Sequence, residues 1–195
     1  LLGCLEPSKP LETLAALESL GMIGAGVPFA TVERWLSDPL LGRAALLLAA
    51  QSGDPQASTP VVGALLAGTD PEAVCALADY VAASEPARRA AQEELAKSGE
   101  RGPRLLLYCL ERADGDVECV RAALAIEGAL GIAAATDAAV AWLSDARCYS
   151  EADSALFLLG ATAIPALLRG AGSGDPDTAA ACLDLLGRLP TETVT

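Results

Sequence analysis

Cys4, Cys75, Cys109, Cys119, Cys148 and Cys182 are the side chains best equipped for covalent chemistry, and the chain offers no histidine to activate them. Without histidine, the commonest general base, the commonest metal ligand and every Ser-His or Cys-His nucleophile pair in its usual form are absent. None of the cysteines forms a Cys-x-x-Cys pair, and most sit among Ala and Leu inside apolar runs. That setting predicts small, buried, reduced thiols, with a redox or covalent-attachment role as the alternative.

Trp35 and Trp142 each precede a Leu-Ser-Asp triplet, Leu36 to Asp38 and Leu143 to Asp145. Each is expected to wedge into the core with its indole N–H reaching a corner oxygen. The sharper alternative is an exposed aromatic anchor for a partner. Arg88, Arg89, Lys97, Arg101, Arg104 and Arg112 form a local basic cluster, offset by Glu93, Glu94, Glu100 and Glu111. Helical ion-pair spacing predicts a solvated, salt-bridged face there. Across all 195 residues, 26 acidic side chains stand against 13 basic ones, for a net charge of −13. A field of that sign repels phosphate backbones and anionic lipid, so no nucleic acid and no membrane is expected as a partner.

The elements that must position these residues are short helices. Apolar residues make up 52% of the chain and aromatics only 4%, so the apolar content is Ala, Leu and Val. Eighteen glycines and 12 prolines recur too often for one long coiled coil,. The mean hydropathy is +0.38. No run reaches the roughly 18 uninterrupted apolar residues of a membrane span, and helices buried on two sides account for the value better. No leader peptide is recognisable, which gives a cytoplasmic default.

Corners recur at Asp38-Pro39, Asp70-Pro71, Asp114 to Asp116, Asp145 and Asp175-Pro176, at intervals of 32, 44, 31 and 30 residues. At such corners Asp can cap the next helix and Pro suits its first turn. Periods of this size predict an all-α chain folded as an α-α superhelix in one domain over residues 1–195. The long interval contains one extra helix over 86–98. A helix over 11–20 stands before the first hairpin without a partner. The remaining helices pair as 28–37 with 40–50, 59–67 with 71–81, 103–112 with 117–130, 134–144 with 150–159, and 161–169 with 177–189. A longer echo joins the Leu20-Gly21 stretch and Trp35 to the Leu130-Gly131 stretch and Trp142. The apolar run Leu1 to Leu5 predicts an end covered by further chain or by a second copy,.

The stretch Ser154 to Leu189, two apolar helical runs hinged on Asp175-Pro176 and ending in Leu185-Leu186-Gly187, resembles a HEAT-like repeat of the short variety found in phycobilisome-lyase-type proteins. The resemblance extends over about Leu11 to Leu189. It implies a scaffold whose second helices line a concave face. Those helices carry Glu72, Asp79, Glu118, Arg121, Glu127 and Asp184, so an acidic groove for a basic or amphipathic peptide is expected, with Trp35 and Trp142 as aromatic anchors. The expected protein is no enzyme and needs no cofactor. The alternative that the resemblance implies is a bilin lyase or isomerase, with a thiol or carboxylate of the concave face assisting; Cys75, Cys119 or Cys182 exposed in the groove beside an Asp would favour it. The missing histidines speak against the iron hydroxylases built from such repeats.

Overall fold

A computed structural model describes residues 2–6, 8–68, 70–111 and 116–190. The chain is all-α, and no strand occurs among the described residues. It divides into two compact units: residues 1–68 with 76–97, and residues 69–75 with 98–195.

In the first unit, α1 (Pro10–Met22) and the short α2 (Phe29–Val32) pack on α3 (Gly42–Ser52). The helix α1, expected to lack a partner, is thus the main neighbour of α3. Its stripe of Thr13, Ala16, Leu17 and Leu20 is buried, which follows from their i, i+3, i+4, i+7 spacing,. Next come α4 (Ser58–Ala67), the end of α5 (Pro71–Ala83), and α6 (Glu85–Lys97), the extra helix that the long interval demanded. Helices α4 and α6 pack together. Tyr80 is fully buried and donates its hydroxyl to the Asp54 carbonyl at 2.9 Å, tying α5 to the corner after α3. On α6 and the helix after it, Arg88 and Arg89 meet Glu85, Lys97 meets Glu94, and Arg104 meets Glu100, as the basic cluster's spacing requires. Arg112 and Asp114 lie outside the described residues.

The second unit contains α7 (Arg101–Glu111), α8 (Val117–Leu130), α9 (Thr136–Ala141), α10 (Tyr149–Leu159), α11 (Ile164–Ala171) and α12 (Pro176–Arg188). Its tightest packing is α8 on α10 and α11 on α12. The Asp corners act as read. Asp116 accepts from the Cys119 N–H at 3.1 Å and Asp175 from the Thr178 N–H at 3.2 Å, each satisfying an orphan donor of a first turn,. By length and composition the stretch Tyr149–Ala171 could cross a membrane, and 39% of its apolar window is buried inside the fold. Gly160, at φ +57°, breaks it into α10 and α11.

One module occurs twice, at a constant spacing of 107 residues. Helix α1 ends at Gly24 (φ +60°) and α8 at Gly131 (φ +68°). In both, the following N–H returns to the carbonyl five residues back: Ala25 to Leu20 at 3.1 Å, and Ile132 to Glu127 at 3.0 Å. This is the Schellman arrangement, and its left-handed position suits glycine. Eleven residues on stand Trp35 and Trp142, in 3-10 turns that follow α2 and α9. Then Asp38 and Asp145 each accept from the N–H two residues ahead, Leu40 at 2.8 Å and Arg147 at 2.9 Å. The eleven-residue helices α3 and α10 follow, and they end at Gly53 (φ +61°) and Gly160. The echo between the tryptophans is real, but Gly131 matches Gly24 rather than Gly21.

Candidate functional site

Two surfaces of the second unit gather the residues singled out above. Helix α10 packs between α8 and α12, and charged side chains join the three. Arg121 on α8 bonds Glu151 on α10 at 2.6 Å and Glu118 on its own helix at 3.1 Å. Arg188 on α12 bonds Asp153 on α10 and Asp184 at 3.0 Å, and lies 5.9 Å from the centre of the half-exposed Phe157 ring. The Glu151 and Asp153 hydrogen bonds hold both guanidinium groups firmly protonated. Glu118, Arg121 and Asp184 therefore share one face, where two guanidinium groups each pair with two carboxylates and offset half of their charge.

The second surface is a cleft of about 780 Å³ between α7 and α9, lined by Leu107, Leu110, Ala138, Ala141 and Trp142, with Glu111, Asp137 and Asp145 among its walls. Trp142 is half-buried, and its indole N–H donates to the Leu110 carbonyl at 3.0 Å. That bond fixes the ring as one wall and satisfies a carbonyl at the end of α7. Asp137 pairs with Arg169 at 2.6 Å. Asp145 accepts from both the side chain and the N–H of Arg147, which holds its carboxyl down at about 2. Two of the three carboxylates, Asp137 and Asp145, are thus already paired with an arginine, and the rest of the lining is mainly apolar.

Trp35 fares differently. It is 6% exposed, its indole N–H has no hydrogen-bond partner, and the Arg34 guanidinium stacks 4.5 Å from its ring centre. Where Trp142 finds its acceptor on α7, the Trp35 indole finds none among the described residues. Trp35 is therefore core and cannot anchor a ligand.

The remaining residues scatter. Glu72 is half-buried in the first turn of α5; Asp79 on the same helix is exposed, with partial burial of its carboxyl pushing its pKa up. Glu127 is a correction: it is 0% exposed, with neither carboxylate oxygen hydrogen-bonded, so it lines no groove. Burial raises its pKa to about 8. The signal lies in the α8 stripe Val120, Ala123, Leu124 and Glu127, whose i, i+3, i+4, i+7 spacing places the glutamate on the buried side,. Of the cysteines, Cys109, Cys119, Cys148 and Cys182 are buried and Cys75 is half-buried. Burial of Cys119 and Cys182 removes two of the three thiols whose exposure would favour the lyase alternative. Among the described residues no His/Cys/Asp/Glu cluster is arranged to hold a metal.

No protein-family model matches the chain, and no curated protein is significantly similar to it.

Proposed function

We propose that the chain is a cytoplasmic, HEAT-like α-helical repeat protein that binds a basic, amphipathic peptide segment of a protein partner, without catalysis. The observation that carries this reading is the α7–α9 cleft, with a fixed tryptophan wall, a mainly apolar lining, and Glu111 beside the arginine-paired Asp137 and Asp145. An amphipathic segment would bury its apolar side chains against Leu107, Leu110 and Trp142 and set Lys or Arg beside Glu111, Asp137 and Asp145. Such rim charges add mainly to the encounter rate and to partner choice, and the buried aromatic contact to affinity. The net charge of −13 steers a cationic partner inward and a nucleic acid away,. The twofold module supports the repeat reading, because stacked copies of one supersecondary unit are how such proteins extend a surface.

The test is a calorimetric titration with two synthetic peptides of equal length, one of alternating Leu and Lys faces and one with every Lys replaced by Glu. The reading expects saturable binding of the lysine peptide alone, weakened about tenfold or more by Glu111→Lys and by raising the salt from 0.05 to 0.5 M. Equal binding of both peptides, or none of the lysine peptide, contradicts it.

A further inference from the structure

The two modules treat one equivalent position differently. Arg34 and Ala141 stand at the module's spacing of 107 residues, each directly before its tryptophan. In the first module the Arg34 guanidinium lies 4.5 Å from the centre of the Trp35 ring and donates from Nη2 to the Leu5 carbonyl at 3.1 Å. Trp35 is 6% exposed there, and Val27 2%. In the second module Ala141 ends in a methyl group, Trp142 is half-buried, and Ala134, the equivalent of Val27, is exposed. Ala134, Ala141 and Trp142 all line the cleft of about 780 Å³. The surface that the first module covers is thus open in the second, and among the described residues no cation lies over Trp142.

We propose that this cleft is an arginine pocket, in which a guanidinium of the bound peptide lies over Trp142 as Arg34 lies over Trp35. The inference rests on the reading of the cleft as a peptide site and adds which basic residue it selects. The first module supplies the geometry: a planar guanidinium on the face of an indole, with an N–H at its edge reaching an oxygen. Arginine suits that arrangement better than lysine. Its cation is flat, weakly hydrated and carries five donors, so it stacks on a ring and keeps hydrogen bonds at its rim. An ammonium must give up tightly held water to come as close. The second module supplies the acceptor. Glu111 is exposed on the α7 wall and enters no ion pair among the described residues, while Asp137 and Asp145 already hold Arg169 and Arg147. Glu111 is therefore the carboxylate left to receive an incoming guanidinium, whose parallel N–H groups match its two oxygens. The first module cannot take the same ligand, because its own arginine already covers the ring.

The experiment titrates two synthetic amphipathic peptides of equal length, identical except that every Lys of one is Arg in the other, into the full chain and into Ala141→Arg and Trp142→Leu. For the unaltered chain the arginine peptide is expected to bind about tenfold tighter than the lysine peptide. Ala141→Arg gives the second module the side chain that covers the ring in the first, and is expected to weaken the arginine peptide about tenfold and the lysine peptide less. Trp142→Leu is expected to erase the preference. Circular dichroism of both variants establishes that they are folded, and Ala141, being exposed, keeps the test available should Trp142→Leu not fold. Equal affinity of the two peptides for the unaltered chain overturns the arginine pocket and leaves the peptide site standing. A preference that survives Trp142→Leu, or an Ala141→Arg chain that changes both affinities by the same factor or not at all, also overturns the pocket. If neither peptide binds the unaltered chain, the peptide site itself falls and the pocket with it.

Discussion

Leu20 and Glu127 stand at the same point of one module: each lies four residues before a left-handed glycine, and each accepts a main-chain hydrogen bond from the residue after that glycine. In the first unit the side chain there is an ordinary core leucine, 5% exposed; in the second it is a carboxyl group with 0% exposure and no hydrogen-bond partner. The module's backbone therefore makes no demand for a carboxylate, and the second unit carries one against the usual rule that buried polar groups are paired.

Stability of the second unit follows from that carboxyl. Its pKa is about 8 in the folded chain, against 4.5 as the ordinary value. Because the folded value is the higher, the neutral acid is tolerated fully below about pH 4.5. As the pH rises to 8 the unfolded chain ionises while the folded one resists, and stability falls across that window and levels off above it. The full loss is on the order of a few kcal/mol, at about 1.4 kcal/mol per pKa unit. Glu127→Gln is expected to flatten the melting temperature between pH 5 and 8, and Glu127→Leu to raise it most at pH 8. Parallel pH curves for the unaltered chain and Glu127→Gln contradict the burial.

A second pair of equivalent positions separates packing from helix propensity. Gly128 faces α10 so closely that an added Cβ would lie 2.7 Å from the Ala155 Cα, while Gly21 has open space in the same place. Gly128→Ala is expected to cost about 1–3 kcal/mol through overpacking. Gly21→Ala is expected to gain up to about 1 kcal/mol, since alanine is the better helix former. Urea denaturation of both variants checks the contrast, and destabilisation of equal size at the two sites contradicts it.

Tyr80→Phe probes the corner after α3. The change removes the bond to the Asp54 carbonyl and leaves that oxygen unsatisfied beside a buried ring. A loss of about 1–2 kcal/mol is expected. Burial also raises the phenol's pKa to about 12, so the unaltered chain should lose stability between pH 10 and 12 and the variant should not. Absorbance at 295 nm during an alkaline titration reads the same group directly.

The helical class was legible because its punctuation is chemical. Asp116 and Asp175 sit where a first turn needs an acceptor, and the helices α5 and α12 open on Pro71 and Pro176. The extra helix α6 was legible from length alone. Pairing was harder: α1 needed a partner that no local pattern names, and it took α3. The site was less legible still. Trp35 and Trp142 share a sequence frame, yet their environments depend on whether another helix supplies an acceptor, as α7 does for Trp142. Glu118 and Asp184 read as free acidity and are paired with Arg121 and Arg188. Glu127 was placed on a surface by its charge, although its position in the apolar stripe of α8 places it inside.

The most direct measurement of the central claim is a proton–nitrogen correlation spectrum of the two indole N–H groups during titration with the lysine-faced peptide. The Trp142 resonance, in the wall of the cleft, is expected to move saturably and to respond to Glu111→Lys, while that of the core Trp35 stays in place. A spectrum in which neither indole moves, or in which Trp35 moves as much as Trp142, contradicts a peptide site between α7 and α9.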